Sequence, residues 1–258
     1  MTDTTQPEGK PADSSAVQAG ARTERAISGF GVDGSLPTRE RLILAAVYLF
    51  YLRGYEATAM AELLAYARVN SGSFYHFFGS KEELLLEVLR WYQQNLEPVL
   101  IRPLYQQIHD PLERVFGLLE GYRQRILMTE CTFGCPIGRL ALEVPTQRRE
   151  VHQLLAANFT GWWRAVEQCL CDAGDALPRD LDREQLAQFV LTVMEGGVMQ
   201  SRAYGSVVPF DRAVAQLRDY FQRLQHAAGA SSRPRGPVKK KRKERRTEVN
   251  SKEGRGGE

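Results

Sequence analysis

Apolar residues recur at steps of three and four through most of the chain, the spacing of one helix face. The pattern is tightest between Thr38 and Leu85. Leu42, Ile43, Ala46, Leu49 and Phe50 form one stripe, Met60, Leu63, Leu64 and Ala67 a second, and Phe74, Phe77 and Phe78 a third. The residues between the stripes are helix punctuation. Thr38, after Pro37, and Thr58 are predicted to cap the first two helices, and Gly54 to end the first in a left-handed conformation. Asn70 caps a third helix beginning at Ser71, and Ser80-Lys81-Glu82-Glu83 spells a capping box that opens a fourth. Three short helices closing on one aromatic core are expected, with Phe74, Phe77 and Phe78 facing inward.

The fourth helix carries Leu85, Val88, Leu89, Tyr92 and Leu96 until Pro98 ends or bends it. Asp110-Pro111-Leu112-Glu113 opens the next with a cap, a proline in the first turn and a glutamate to complete a box. A loop around Gly134 and Pro136 leads to a short helix. A long helix then fits residues 146–173, with Leu155, Trp162 and Cys169 on its stripe and Gly174 as its stop. Asp182 and Gln185 box a further helix, and the last, after Pro209, carries Val214, Leu217, Phe221 and Leu224. No strand-like alternation or hairpin dipeptide interrupts this, so the predicted fold is all-α. Its expected divisions are a disordered arm (1–37), a helix-turn-helix domain (38–83), a helical effector-binding and dimerisation domain (84–228) and a disordered basic tail (229–258).

Charge changes the picture only when divided along the chain. The net charge of +3 hides a tail, residues 229–258, with 11 basic and 4 acidic side chains, whereas residues 38–83 balance at 5 and 5. Lys239–Lys243, Arg245 and Arg246 are expected to bind polyanions with little sequence choice. The "PVKKKRK" run also resembles a nuclear-import signal. Arg22 and Arg25 in the leader could follow a minor groove. The polar first residues contain no secretory signal, and the longest apolar run, Leu42–Leu52, is shorter than the ~20 residues of a membrane span. A cytoplasmic protein without membrane contact is expected. Cys131, Cys135, Cys169 and Cys171 make no metal signature. No metal or cofactor, and no nucleophile–base pair of an enzyme, is read from the chain.

The third helix opens with small residues, Ser71, Gly72 and Ser73, so its amino-terminal end can approach phosphates and base edges closely. Tyr75 and His76 are expected to face outward. Turn chemistry alone fits any helical hairpin. The run "GYEAT" followed by "VNSGSFYHFFGSKEELL", however, resembles the DNA-binding domain of the TetR family of bacterial transcriptional regulators over about 48 ungapped residues. "GCPIGRLALEV" resembles a segment of one branch of that family. The resemblance implies base contacts from Ser71, Gly72 and Ser73, and phosphate contacts from Arg39, Thr58, Tyr75, His76 and Lys81. Arg68 stands where the family's turn commonly has glycine, and Leu64 where alanine is common. Arg68 must therefore adopt a left-handed conformation or change the turn.

The resemblance further implies a homodimer on a palindromic operator in double-stranded DNA. Gly196, Gly197, Val214, Leu217, Phe221 and Leu224 are the candidate interface, since small residues let two helices approach and the stripe supplies apolar burial. It also implies a pocket for a small apolar or amphipathic effector, for which Phe116, Tyr122, Phe133, Trp162, Phe189 and Met194 are candidates. A repressor released by that effector is the expected function. The alternative is a redox sensor using Cys131 or Cys135.

Overall fold

Helices occupy nearly all of the computed structural model, which describes residues 34–144 and 148–231. They are α1 (Thr38–Arg53), α2 (Met60–Ala67), α3 (Ser71–Phe77), α4 (Lys81–Asn95), α5 (Arg102–Gln107), α6 (Pro111–Met128), α7 (Pro136–Glu143), α8 (Arg149–Asp172), α9 (Arg183–Tyr204) and α10 (Val208–Ser231). Among the described residues there is no strand, and no helix is long and apolar enough to cross a membrane. The amino-terminal arm, the basic tail and the expected helix start at residue 146 lie outside the described residues.

Side-chain caps set the starts of α3, α4, α6 and α9. Asn70 accepts from the Ser73 N–H at 2.8 Å, Ser80 from Glu83, Asp110 from Glu113 and Asp182 from Gln185. Glu83 reaches back to the Gly79 N–H (2.8 Å) rather than to that of Ser80. Glu113 does not close its box at all, because a bidentate pair with Arg218 (2.7 and 3.2 Å) draws it towards α10. Two expected caps are absent. Pro37 holds the cap position of α1, leaving Thr38 inside the helix, and Ala59 holds that of α2.

Pro98 does not stop the helical path that α4 begins. The chain widens into a π-helical stretch, Leu96–Ile101, that absorbs the missing N–H and continues into α5.

The head, α1–α3 with the start of α4, closes on Leu42, Leu49, Phe50, Leu63, Phe74, Leu84 and Leu85, all fully buried. Phe77, expected inside, is 40 % exposed, and Phe74 and Phe78 fill the aromatic positions instead. Arg68 keeps the turn and accepts the strain, at φ 53° and ψ 49°. A left-handed conformation costs a non-glycine residue roughly 1–2 kcal/mol, partly offset in a glycine variant by its freer unfolded chain. Arg68→Gly is therefore expected to stabilise the chain by about 0.5–1 kcal/mol in urea unfolding, and a loss of stability would contradict the strain. Glu130 and Cys131 are also left-handed, closing α6 with a Cys131 N–H bond to the Ile126 carbonyl at 2.8 Å.

In the body, α8 packs along α4, and α9 packs on α8 and α10. Asn158 of α8, buried, donates to the Leu89 carbonyl of α4 at 3.0 Å. Arg123 and Asp211 bind α6 to α10 with two hydrogen bonds of 2.7 and 3.2 Å.

Candidate nucleic-acid interface and the cavity behind it

The tip of α3 is both exposed and anchored. Ser71 and Gly72 lie on the surface, Tyr75 is 64 % exposed, and His76 is exposed beside them. Buried Phe74, between the two groups, fixes the helix on the head. The Asn70 side chain occupies the Ser73 N–H. The first N–H groups of α3, at Ser71 and Gly72, have no acceptor within a helix by position and point off its end. Gly72 leaves that end open: an added Cβ would meet only Asn70 Oδ1, at 3.5 Å.

The other phosphate candidates are not equally free. Thr58 is a correction. It is 1 % exposed and its hydroxyl donates to the Gly54 carbonyl at 2.7 Å, so its side chain locks the α1–α2 corner instead of facing DNA. Arg39 is half-exposed but ion-paired with Glu87 of α4, and its guanidinium lies 5.6 Å from the Phe78 ring centre. Lys81 donates to the Tyr55 carbonyl and sits 4.5 Å from the centre of that ring. Partial burial lowers its pKa, against the raising effect of Glu56 and Glu143. Two of its three donors remain for another acceptor.

Behind the head, α7 closes a clamp that sequence reasoning missed. Glu143 Oε2 accepts from the Tyr55 N–H at 2.7 Å, and Oε1 accepts from Arg139 Nε at 2.6 Å. Arg139 Nη1 in turn donates to the Tyr51 and Leu52 carbonyls, at 3.0 and 3.2 Å. These are open carbonyls of the last turn of α1, where a cation is favoured by both hydrogen bonding and the helix dipole. Gly54 makes room for the pair: its φ is 94°, and an added Cβ would fall 2.4 Å from a Glu143 carboxylate oxygen. Arg148 adds an ion pair to Glu82 at the start of α4.

The opposite end of α7 borders a cavity of about 110 Å³. Trp91, Tyr92 and Asn95 of α4 line it, with Tyr122, Cys135, Pro136, Phe159, Trp162, Met194 and Glu195. Of the six pocket candidates, Tyr122, Trp162 and Met194 line this cavity. Three candidates are not. Phe116 packs on Phe221 under the Arg218 guanidinium, Phe133 rests on Tyr51, and Phe189 is 49 % exposed beside Tyr220. Each lies outside the cavity: Phe116 and Phe189 are on other faces of their long helices, and Phe133 is in the loop before α7.

Glu195 was also missed, although an acid beside Leu191, Met194 and Val198 on an otherwise inward stripe was a visible signal. Its Oε1 and the Trp162 Nε1 are buried without hydrogen-bond partners among the described residues. Burial raises the Glu195 pKa, against a lowering bond from the Cys135 thiol. Burial and Glu195 together push the Cys135 thiol well up, and burial raises that of Cys131.

The expected interface residues divide in the same way. Leu217 and Phe221 are 2 % exposed within the chain, Phe221 against Phe116 of α6, and a Cβ on Gly197 would meet Phe210 at 2.9 Å, so these three pack inside one subunit. Val214 and Leu224 are half-buried against the same core. Gly196 has nothing within 4 Å. The outer face of the helix pair instead shows Phe189, Thr192, Met199 and Tyr220.

Comparison with known proteins agrees with this architecture. Residues 42–88 match the family model of "Bacterial regulatory proteins, tetR family", and residues 111–217 that of "Tetracyclin repressor-like, C-terminal domain". An HTH-type transcriptional regulator of Mycobacterium tuberculosis is 30 % identical over 187 residues, covering 70 % of this chain and 92 % of its own length. The HTH-type transcriptional repressor DhaR of Mycobacterium sp. is 27 % identical, with 68 % of this chain and 88 % of its own length aligned. A solved structure of the TetR family regulator CifR with 26-bp operator DNA superposes with a TM-score of 0.58 at 27 % identity, covering 76 % of this chain and 98 % of that one. The chain therefore belongs to the TetR family of DNA-binding transcriptional regulators, and its work is regulation, not catalysis.

Proposed function

We propose that the protein is a cytoplasmic homodimeric repressor, released from a palindromic operator by a small amphipathic molecule. The observation that carries the reading is the tip of α3, exposed, free of bulk and pinned from behind by Phe74. Ser71, Gly72 and Ser73 face bases and Tyr75 and His76 face phosphates, while Arg39 and Lys81 join once their internal partners are shared with the backbone of DNA. The repressor direction follows the name of the relative DhaR. Selection from a random duplex pool tests the reading. It predicts an inverted repeat whose half-sites lie ~34–36 Å, or a multiple, apart. An enrichment that disappears when residues 229–258 are removed would overturn it.

Residues 38–83 act as the reading head and 84–228 as the sensing and pairing body. Phe189, Thr192, Gly196 and Met199 follow one another along α9 at three- and four-residue steps, and Tyr220 borders them on α10. This face pairs the subunits. Gly196→Arg, which the single chain accommodates in open space, is expected to halve the mass seen by sedimentation. A dimer of unchanged stability would exclude this face.

Two elements connect cavity and head. The inner end of α4 lines the cavity while its outer end is buried in the head, and α7 runs from Cys135 on the cavity wall to the Arg139–Glu143 clamp. A ligand that spreads the wall shifts both, and its preference between the two arrangements sets the loss of DNA affinity, typically ~1–3 kcal/mol.

A second reading rests on Cys135, whose place on the cavity wall beside Glu195 exposes it to any occupant. Its raised pKa works against it, since the thiolate is the reactive form. Peroxide-driven operator release that Cys135→Ser removes would favour this reading, and unchanged binding after peroxide would dispose of it.

A further inference from the structure

We propose that the cavity takes an aromatic cation, with the cationic nitrogen at the Glu195 carboxylate and the ring among Tyr92, Tyr122 and Trp162. The inference rests on the ligand-responsive reading above and assigns the chemical class of its ligand.

The carboxylate is the feature that needs a partner. One oxygen, Oε1, is buried without a hydrogen bond among the described residues. The other lies against α7, where an added Cβ on Gly138 would come within 2.5 Å of it. The Cys135 thiol is the one hydrogen-bonding group that acts on its titration, and no cationic side chain does. Arg125 also borders the cavity, but it is exposed and turned over the Tyr122 ring, 5.9 Å from its centre. A buried acid lacking a counter-charge is costly to keep ionised. Burial answers this by favouring the protonated form. A bound cation answers it by supplying the missing charge.

The remaining walls select the rest of the ligand. Aromatic faces attract a cation electrostatically, most strongly where water is excluded. The unpartnered Trp162 Nε1 offers a donor to an ether or hydroxyl oxygen on the same molecule. The present volume, about 110 Å³, is below the ~150 Å³ known to admit benzene. Occupancy must therefore push back part of the wall, and Leu96 and Phe159 are only half-buried. Leu96 opens the π-helical stretch that leaves α4, so the expansion bears on the element that reaches the head. An anion would face the carboxylate directly, and a neutral ring would leave it unpaired.

The test uses the full-length protein and three probes of matched size: 2-phenylethylammonium, 2-phenylethanol and 3-phenylpropanoate. Two of the three tryptophans, Trp91 and Trp162, line the cavity, so quenching of intrinsic fluorescence reads occupancy without DNA. The ammonium is expected to bind at least about tenfold more tightly than the alcohol, with the carboxylate weakest. Glu195→Gln, close in size, should abolish that preference and leave alcohol binding in place. Equal or tighter binding of the alcohol or carboxylate would overturn the proposal. So would a preference that survives in Glu195→Gln, or an absence of quenching by all three. Operator binding is measured separately: ammonium binding that leaves DNA affinity unchanged would refute the effector reading while the ligand class stood.

Discussion

Gly54→Val is expected to destabilise the protein by about 3 kcal/mol. Two independent causes add. The residue sits at φ 94°, where a β-branched side chain is strained. Its new Cβ would also lie 2.4 and 2.5 Å from the two Glu143 carboxylate oxygens and 2.8 Å from Arg139. Those groups cannot retreat freely, because the Tyr55 N–H and the Tyr51 and Leu52 carbonyls hold them. The variant loses the clamp as well as stability, and urea unfolding should show both the lower midpoint and a head that melts before the body. A change below about 0.5 kcal/mol would mean that the corner is plastic and that α7 does not grip it.

How much of this was visible beforehand follows from sequence distance. The caps at Asn70, Ser80, Asp110 and Asp182 were legible because each side chain meets a backbone group three residues on. The all-α fold was legible for a related reason: helical stripes are local patterns. The internal partners of Arg39 and Lys81 were not legible, because Glu87 and the Tyr55 carbonyl lie 48 and 26 residues away. Glu113 left its expected box for Arg218, 105 residues distant. Thr58 looked like a cap but turned inward to Gly54, and Ala59 holds the cap position of the next helix. The cavity could be placed only roughly, because aromatic residues at helical spacing say nothing about which face is hollow. Phe116 and Phe189 show this, as they carry the right chemistry on the wrong side of their helices.

Gly72→Glu carries the largest expected effect on function, a loss of operator affinity of about 100-fold or more with the fold intact. The fold is spared for three reasons. The position is exposed, and an added Cβ meets only Asn70 Oδ1 at an ordinary 3.5 Å. Glutamate also favours helix over glycine, and its charge suits the first turn of α3. On DNA the same charge is set against phosphates and base edges, and a juxtaposed like charge costs several kcal/mol, which at ~1.4 kcal/mol per decade gives the predicted loss. Fluorescence anisotropy with a labelled operator would measure it alongside an unchanged melting temperature. Affinity within threefold of the original would remove the tip of α3 from the interface. Residues 229–258 carry a net charge of +7 and are expected to add a salt-sensitive background in this assay, so it is run at physiological ionic strength.

Methylation protection on a selected operator tests the central assignment most directly, since guanine N7 lies in the major groove. Two symmetric patches of protected guanines, about one turn apart, are predicted for the full-length protein, and both should vanish with Gly72→Glu. Tight binding that leaves every guanine open to methylation, or protection that persists in that variant, would contradict the insertion of Ser71–Ser73 into DNA.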